Sequence, residues 1–237
     1  MEQFKLGDIK VDVVLKDIKN IHLSVYPPLG KVRIAAPMRM KIDTIRIYAI
    51  SKLGWIKKQQ QKFRSQVREA PREFLNKEGH YFLGKRFLLK ILEHEAPPIV
   101  NVKHKTIELH VRPNSNMQKK QMIMDQWYRE QLKVIVPPII KKWEKRIGVP
   151  VKEFGIKKMK TKWGTCNKDA KRIWLNLELA KKPEHCLEYI VVHEMIHLLE
   201  RHHNEIFLNY MNKFMPEWKS LRQELNRLPV SHSDWKY

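Results

Sequence analysis

Residues 191–207, VVHEMIHLLERHHNEIF, place histidines and glutamates inside a run that is otherwise strongly apolar. His193 and His197 are four residues apart, so on a helix their side chains lie one turn apart on nearly the same face. Two imidazoles with this H-E-x-x-H spacing can bind one metal ion, and Glu194 can hold a water molecule beside it. A metal lowers the pKa of such a water toward 7, and a carboxylate can accept its proton. The spacing therefore predicts a metal-dependent hydrolytic site.

The helix that carries these residues is apolar on almost every side over residues 187–199, which predicts that it is buried. A buried carboxylate without a partner costs several kcal/mol or more, so Glu194 needs a cation nearby. A bound metal ion supplies one. Two ordinary histidines on a surface helix would instead be expected in an amphipathic pattern, so we interpret His193 and His197 as metal ligands.

A catalytic zinc ion needs three protein ligands and one open position. The downstream candidates, in the order that we favour, are His203, His202 and Glu205. A continuous helix would carry position 203 about 9 Å beyond His197, so the chain must turn just after Glu200. Histidine and asparagine tolerate left-handed backbone better than most residues, so RHHN (residues 201–204) is expected to form this turn. The spacing does not distinguish zinc from another divalent metal.

The charge of the chain favours a polyanionic partner. Its 47 lysines and arginines exceed 25 aspartates and glutamates, for a net charge of +22. Nucleic acid, another polyanion or a phosphorylated substrate would suit this excess, although a solvated basic surface is the alternative. No apolar run is long enough to span a membrane, and MEQFKLGDIK lacks an apolar signal core. With Cys166 and Cys186 not in a CxxC pair, we predict a cytoplasmic protein without disulfides.

The order of elements predicts an α+β fold in two lobes. Alternating strands and a hairpin turning at residues 27–30 lead into a helical pattern over residues 41–63, with Gly54 as its weak point. Two more strands are expected near residues 80–92 and 100–111. We therefore assign residues 1–112 to a β-rich N-terminal lobe with one helix.

The second lobe is predicted to span residues 113–237. It begins with a helix that Pro137 and Pro138 stop or kink and that ends at Gly148. A strand over residues 172–180 follows, then the buried helix of the histidines over residues 182–200, and a terminal helix over residues 216–226. We assign the metallohydrolase chemistry to this lobe.

Three segments resemble the YgjP-like (SprT-related) zinc metallopeptidase family. MKTKWGTCN (159–167) is similar to the family's W-G-S-C signature, with Thr165 in place of the serine. Residues 189–207 are similar to its metal-binding helix and the following turn, with Asn204 in a serine position. MPEWKSLRQEL (215–225) is similar to its terminal helix, and IKNIHLSVYPPLGKVRIAAP and YFLGKRFLLKI are more weakly similar to its N-terminal β lobe.

The resemblance implies metal ligands at His193, His197 and His203, with Glu194 as general base in a zincin-like catalytic lobe. It implies a zinc-dependent peptidase that acts on peptides or proteins. Two alternatives remain open: hydrolysis of nucleotides or other phosphorylated substrates, and a protease recruited to nucleic acid by its basic surface. A third, a nucleic-acid-binding protein with structural zinc, would not need Glu194.

The W-G-T-C segment (residues 163–166) has two interpretations. Either it is a turn in which Trp163 packs and Gly164 takes a special backbone angle, or it lines the wall of the cleft. In the second case Cys166 could be a fourth ligand that silences the metal. The candidates for stabilising a tetrahedral intermediate are Lys160, Lys162, Tyr210 and His202.

Overall fold

The structure is a computed structural model that describes residues 2–26, 29–65, 71–159 and 161–229. The chain forms two compact units that divide between residues 67 and 68. The turn expected at residues 27–30 lies partly outside the described residues, as does Lys160. An α+β fold with a strand-rich N-terminal region is confirmed.

The first unit is a four-stranded sheet covered by two helices. Its elements are β1 (Glu2–Leu6), β2 (Ile9–Lys16), β3 (His22–Tyr26), β4 (Lys31–Pro37), α1 (Ile42–Ser51) and α2 (Leu53–Ser65). The strand order is β1-β2-β4-β3; β2 and β4 are parallel, and the other pairs are antiparallel. Alternate residues of the strands, such as Val11 and Ile34, pack against Ile45 and Ile56 of the helices. The helical pattern breaks at Lys52, close to the predicted weak point at Gly54.

The second unit opens with a sheet of four strands in the order β5-β6-β8-β7. These are β5 (Gly79–Phe82), β6 (Lys85–Glu93), β7 (Ile99–Lys103) and β8 (Thr106–Val111). The expectation of two strands here is wrong, because each predicted strand is a hairpin. Positive φ angles at Leu83 and Gly84 turn the first, and one at His104 turns the second. Leucine and histidine gave no strong turn signal in the sequence.

A long helix, α3 (Met117–Ile147), follows the second sheet. It ends at Gly148, whose φ of 80° makes the left-handed C-cap that the sequence predicts. Pro137 and Pro138 do not stop it. Each proline removes one helical N–H donor, which frees the carbonyls of Lys133 and Val134. Both of these residues are exposed, so water can bond the freed oxygens. The lobe boundary predicted near residue 113 falls between β8 and α3, inside the second unit.

A three-stranded sheet and three helices complete the second unit. The strands are β9 (Glu153–Lys157), β10 (Gly164–Asn167) and β11 (Arg172–Asn176), in the order β10-β11-β9. A 3-10 helix (Leu177–Lys181) and the helices α4 (Glu184–Ile196), α5 (Glu205–Phe214) and α6 (Trp218–Arg227) follow. The strand predicted over residues 172–180 thus ends early. Leu177, Leu179 and Ala180 are all buried, which a strand with one solvent-facing side does not allow.

Helix α4 lies at the centre of the hydrophobic core of the second unit. It contacts α3, α5, α6, β10 and β11, so it has no broad polar face. Its apolar residues are accordingly buried around most of its circumference, as the sequence predicts. Among the described residues, no helix combines the length and hydropathy needed to cross a bilayer.

Candidate metal centre

The turn after α4 is built by a glutamate side chain. His197 is the C-cap of α4, and the backbone N–H of Glu200 still donates to Ile196 O at 3.0 Å. The Glu200 carboxylate accepts the backbone N–H of His202 at 2.9 Å. Residues 201–204 have no positive φ, so the left-handed turn expected there is wrong. The carboxylate satisfies a free donor of the turn, and the chain reverses without left-handed backbone.

This reversal brings three imidazoles together. The Nε2 atom of His203 lies 3.0 Å from Nε2 of His193 and 3.2 Å from Nε2 of His197. A single Nε2 offers either one hydrogen or one lone pair, so it cannot make two good hydrogen bonds at once. Three nitrogen ligands around a tetrahedral zinc ion would lie about 3.3 Å apart, at the usual Zn–N distance of about 2.0–2.1 Å. The donor set therefore fits a metal ion.

Two other candidates for the third ligand remain outside this cluster. The group of potential ligand atoms within 4.8 Å of one another contains His193, His197 and His203, and neither His202 nor Glu205 joins it. Glu205 instead begins α5, where the Asn204 side chain caps the helix by accepting the Phe207 N–H at 3.1 Å.

Two groups that the sequence did not reveal contact the imidazoles. These are the Glu200 carbonyl and the Phe207 ring. The Nδ1 atom of His197 lies 3.0 Å from the Glu200 carbonyl oxygen, so Nδ1 carries the hydrogen and Nε2 keeps its lone pair. The buried ring of Phe207 stacks on His197 at 4.7 Å between centroids. It meets His193 and His203 edge-on at 5.0 and 4.7 Å. Phe207 gives all three histidines an apolar neighbour, and it reaches them only because the chain turns between α4 and α5.

The electrostatics of the site keep the histidines in the form that binds metals. Burial is the main cause that lowers the pKa of His193 to about 3, and the neighbouring His197 and His203 contribute to the same shift. Burial also lowers the pKa values of His197 and His203. All three imidazoles are therefore neutral near pH 7, and a metal ion does not have to displace protons from them.

Glu194 is buried, with 5% of its surface exposed. Burial raises the pKa of this carboxyl to about 8, while the charge of Lys162 opposes the shift. A dication beside Glu194 would lower the pKa again and favour the carboxylate. In the carboxylate form, Glu194 could accept a proton from a water molecule beside the ion.

Strand β10 covers Glu194 from one side. A Cβ atom on Gly164 would lie 2.6 Å from Oε1 and 2.7 Å from Cγ of Glu194. Gly164 does not have a positive φ, so the expectation of a turn with a special backbone angle is wrong. The glycine is needed because the carboxylate occupies the space of a side chain. The W-G-T-C segment is therefore a wall of the site, as in the second interpretation.

Comparison with protein families identifies the chain. A family model described as YgjP-like, metallopeptidase domain, matches residues 19–228. The chain belongs to the YgjP-like family. The matched residues include α4, the turn, β10 and most of both units, so the resemblance noted in the sequence is confirmed. A search of curated proteins gives no match.

Family membership assigns this YgjP-like chain to the metallopeptidases. It implies a metal cofactor and peptide or protein substrates, and the cluster of three histidines is a site at which such a metal could bind.

The other predicted groups occupy different positions around the centre of this YgjP-like chain. Cys166 lies on β10 but does not join the three-histidine cluster, and burial raises the pKa of its thiol to about 11. Its position outside the cluster does not favour a fourth ligand. His202 is exposed, and the Tyr210 ring stacks on Phe214 with 6.2 Å between centroids. Lys162 acts on Glu194 through its charge.

Asn176 is a residue of the site that the sequence did not reveal. Its buried side chain donates from Nδ2 to the carbonyls of Met159 and Lys162, at 2.9 and 2.7 Å. Its Oδ1 accepts the Glu178 N–H at 3.2 Å. Its own N–H donates to Trp163 O at 2.8 Å. Asn176 thereby fixes the segment that leads into β10 and Gly164.

A second group of potential ligands, His185, Cys186 and Glu224, connects α4 and α6. His185 Nε2 and Glu224 Oε1 lie 2.8 Å apart, so each is the hydrogen-bond partner of the other. Burial raises the pKa of the Cys186 thiol to about 12. The group also lies at the N-terminus of α4, where the helix dipole disfavours a cation. We assign it a structural role.

Proposed function

We propose that this chain is a zinc-dependent peptidase in which His193, His197 and His203 bind the ion and Glu194 is the general base. The convergence of three Nε2 atoms beside a buried carboxylate is the observation that carries the proposal. When bound, the metal supplies Lewis acidity that activates a water and polarises the scissile carbonyl. Three neutral imidazoles with one open position are typical of catalytic zinc.

The residues of the chain then have separate roles. Glu194 accepts the proton of the attacking water and returns it to the leaving amine. Gly164 leaves room for its carboxylate, and β10 limits the positions that the carboxylate can take. The Glu200 carbonyl orients His197 through Nδ1, which fixes the tautomer that offers Nε2.

A peptide substrate is favoured by the free edge of β10. This strand pairs with β11 on one side, and no strand of the described residues pairs with its other side. An extended peptide can add to such an edge through backbone hydrogen bonds. Because Gly164 belongs to the same strand and contacts Glu194, a peptide bound there would have its backbone near the general base. Nucleotide hydrolysis is favoured only by the net charge of +22.

Metal analysis tests the ligand set. Elemental analysis of the purified chain should give about one zinc ion per molecule. His203→Ala should lose most of it, because two ligands remain. His202→Ala is the matched control, since its exposed side chain lies outside the cluster and should leave the metal content unchanged. Equal zinc in wild type and His203→Ala would remove His203 from the ligand set.

A second experiment tests the general base and the substrate class together. Glu194→Gln keeps the shape of the side chain, so it should retain zinc and lose about 100-fold or more in hydrolysis of a denatured protein. Glu205→Gln, an exposed glutamate on α5, should keep full activity. Wild-type turnover in Glu194→Gln would refute the assigned base.

The same preparations should be incubated with a panel of nucleoside triphosphates. Hydrolysis that depends on Glu194 and is confined to these compounds would replace the peptidase with a phosphate hydrolase.

The proposed cytoplasmic location is a separate question, for which cell fractionation is the test.

A further inference from the structure

Helices α1 and α2 present a strongly basic surface in the first unit. Residues 41–65 contain seven lysines and arginines but only one acidic residue, Asp43. All seven side chains are exposed: Lys41, Arg46, Lys52, Lys57, Lys58, Lys62 and Arg64. Such a local excess attracts polyanions more strongly than the average surface of the chain. By itself, however, it would also suit a solvated face.

The orientation of these helices is fixed by contacts on their opposite side. Ile45, Ala49 and Ile56 are fully buried in the core of the first unit. The side-chain amide of Gln60 donates to the carbonyl of Gly30 at 2.9 Å, which ties α2 to the chain between β3 and β4. The basic residues therefore face away from the sheet as a consequence of packing.

An exposed tryptophan lies among these cations. Trp55 keeps 44% of its surface exposed, and it is the only tryptophan of the described residues that is exposed. Trp55, Lys58 and Lys62 are spaced i, i+3 and i+7 on α2, so they lie along one side of the helix. We call these three residues the Trp55 stripe. A ring with 44% of its surface exposed leaves a face that a ligand can contact, and it supplies a second observation beside the charge.

We propose that the Trp55 stripe is a binding surface for single-stranded nucleic acid. An unpaired base stacks on the indole, and the two lysines neutralise the phosphates on either side of it. Aromatic rings between cations are the combination by which proteins bind single strands without reading the sequence. A duplex would not present a free base face to Trp55, so the single strand is the form that fits.

An anionic membrane fits the Trp55 stripe less well. A helix that lies in a bilayer interface needs a continuous apolar face to insert. On α2, Ile56 is buried, and Leu53 and Phe63 are half-buried against the core of the first unit. The exposed Ile47 and Ile50 belong to α1 and not to the stripe. The Trp55 stripe offers one ring followed by two charges.

The test uses the full chain and a fluorescein-labelled 20-nucleotide oligo(dT), with binding measured by fluorescence anisotropy across salt concentrations. Affinity should fall steeply with salt. Trp55→Ala should weaken binding about tenfold, and Trp55→Phe, which keeps an aromatic face, should restore most of it. The double variant Lys58→Ser/Lys62→Ser should weaken binding and reduce the slope of log K against log salt by about 1.4.

The matched control removes the same charge elsewhere. Lys141 and Lys145 are exposed and spaced four apart on α3, so Lys141→Ser/Lys145→Ser should leave binding nearly unchanged. Equal weakening by the two double variants would overturn the proposal, because it would mean that diffuse charge alone attracts the oligonucleotide. Unchanged affinity in Trp55→Ala would also overturn it. So would Trp55-dependent binding to phosphatidylserine vesicles without Trp55-dependent binding to oligo(dT).

Discussion

The geometry of Glu194 depends on a residue that has no side chain. Gly164 lies so close to the carboxylate that any larger residue would occupy the same space. Phe207 acts in a comparable way on the proposed ligands, because its ring limits the movement of all three imidazoles. Neither residue is itself a proposed ligand or base. Both restrict the groups that are, which is how a site is preorganised.

The replacement Gly164→Ala should therefore damage catalysis more than stability. The added methyl group would displace the Glu194 carboxylate, so we expect kcat to fall about 100-fold or more while zinc is retained. Steady-state kinetics and metal analysis measure the two quantities. Gly54→Ala is the matched control, since a Cβ there meets no atom within 4 Å. It should keep full activity and gain up to about 1 kcal/mol of stability in α2. Normal kcat in Gly164→Ala would show that the carboxylate has room to move.

At the level of elements, the site is assembled from α4, the turn, α5 and β10. Helix α4 and its C-cap supply His193, Glu194 and His197, and the turn returns His203 to them. Strand β10 has its position set by β11 and by the segment before it. Asn176, at the end of β11, holds that segment through side-chain hydrogen bonds. Loss of these hydrogen bonds should therefore shift Gly164 and, through it, the Glu194 carboxylate.

The variant Asn176→Ala tests this connection. Removing the side chain leaves the carbonyls of Met159 and Lys162 without their donor, so we expect a loss of about 2–3 kcal/mol in stability. We also expect lower kcat in the fraction that remains folded. Asn116→Ala is the control variant, because it removes the asparagine side chain that caps the N-terminus of α3. It should lower stability by about 1 kcal/mol without changing kcat. Denaturant titration and kinetics on the same samples distinguish the two effects. An equal kcat in both variants would limit Asn176 to a structural role.

At the level of the whole molecule, one titratable group that matters for stability is buried away from the candidate metal centre. His80 on β5 is 3% exposed, and burial lowers its pKa to about 4, with Arg72 and Lys181 adding to the shift. The Glu78 carboxylate, 3.1 Å from Nε2, acts in the opposite direction. The folded chain therefore keeps His80 neutral where an unfolded chain, with a pKa of about 6.5, would bind a proton.

This difference predicts acid sensitivity. The contribution of neutral His80 to the free energy of unfolding should be fully present above about pH 6.5. It should fall by about 3 kcal/mol as the pH drops from about 6.5 to about 4. In His80→Gln the free energy of unfolding should change by about 3 kcal/mol less over the same pH range. Urea titration at several pH values measures this change. His22→Gln, on the exposed side of β3, should keep the wild-type dependence. An unchanged slope in His80→Gln would exclude His80 as its source.

The sequence by itself determined what depends on regular local geometry. A spacing of four on a helix places two imidazoles on one side, whatever the rest of the chain does, and this defines the H-E-x-x-H pair. The apolar run around it predicted a buried helix, and Gly148 predicted the end of α3. The α+β fold and the YgjP-like family were also recognised from sequence, because the segments that carry them are local.

Only the tertiary structure decided which distant residues meet. Two β hairpins were hidden because Leu83 and His104 adopt positive φ under tertiary constraint. Phe207 reaches the histidines, and Gly164 and Asn176 reach Glu194 and its supporting segment, through contacts between residues far apart in the chain. Local patterns specify helices and spacings. Contacts between separate elements depend on how those elements pack, and a single sequence carries no periodic signal for that.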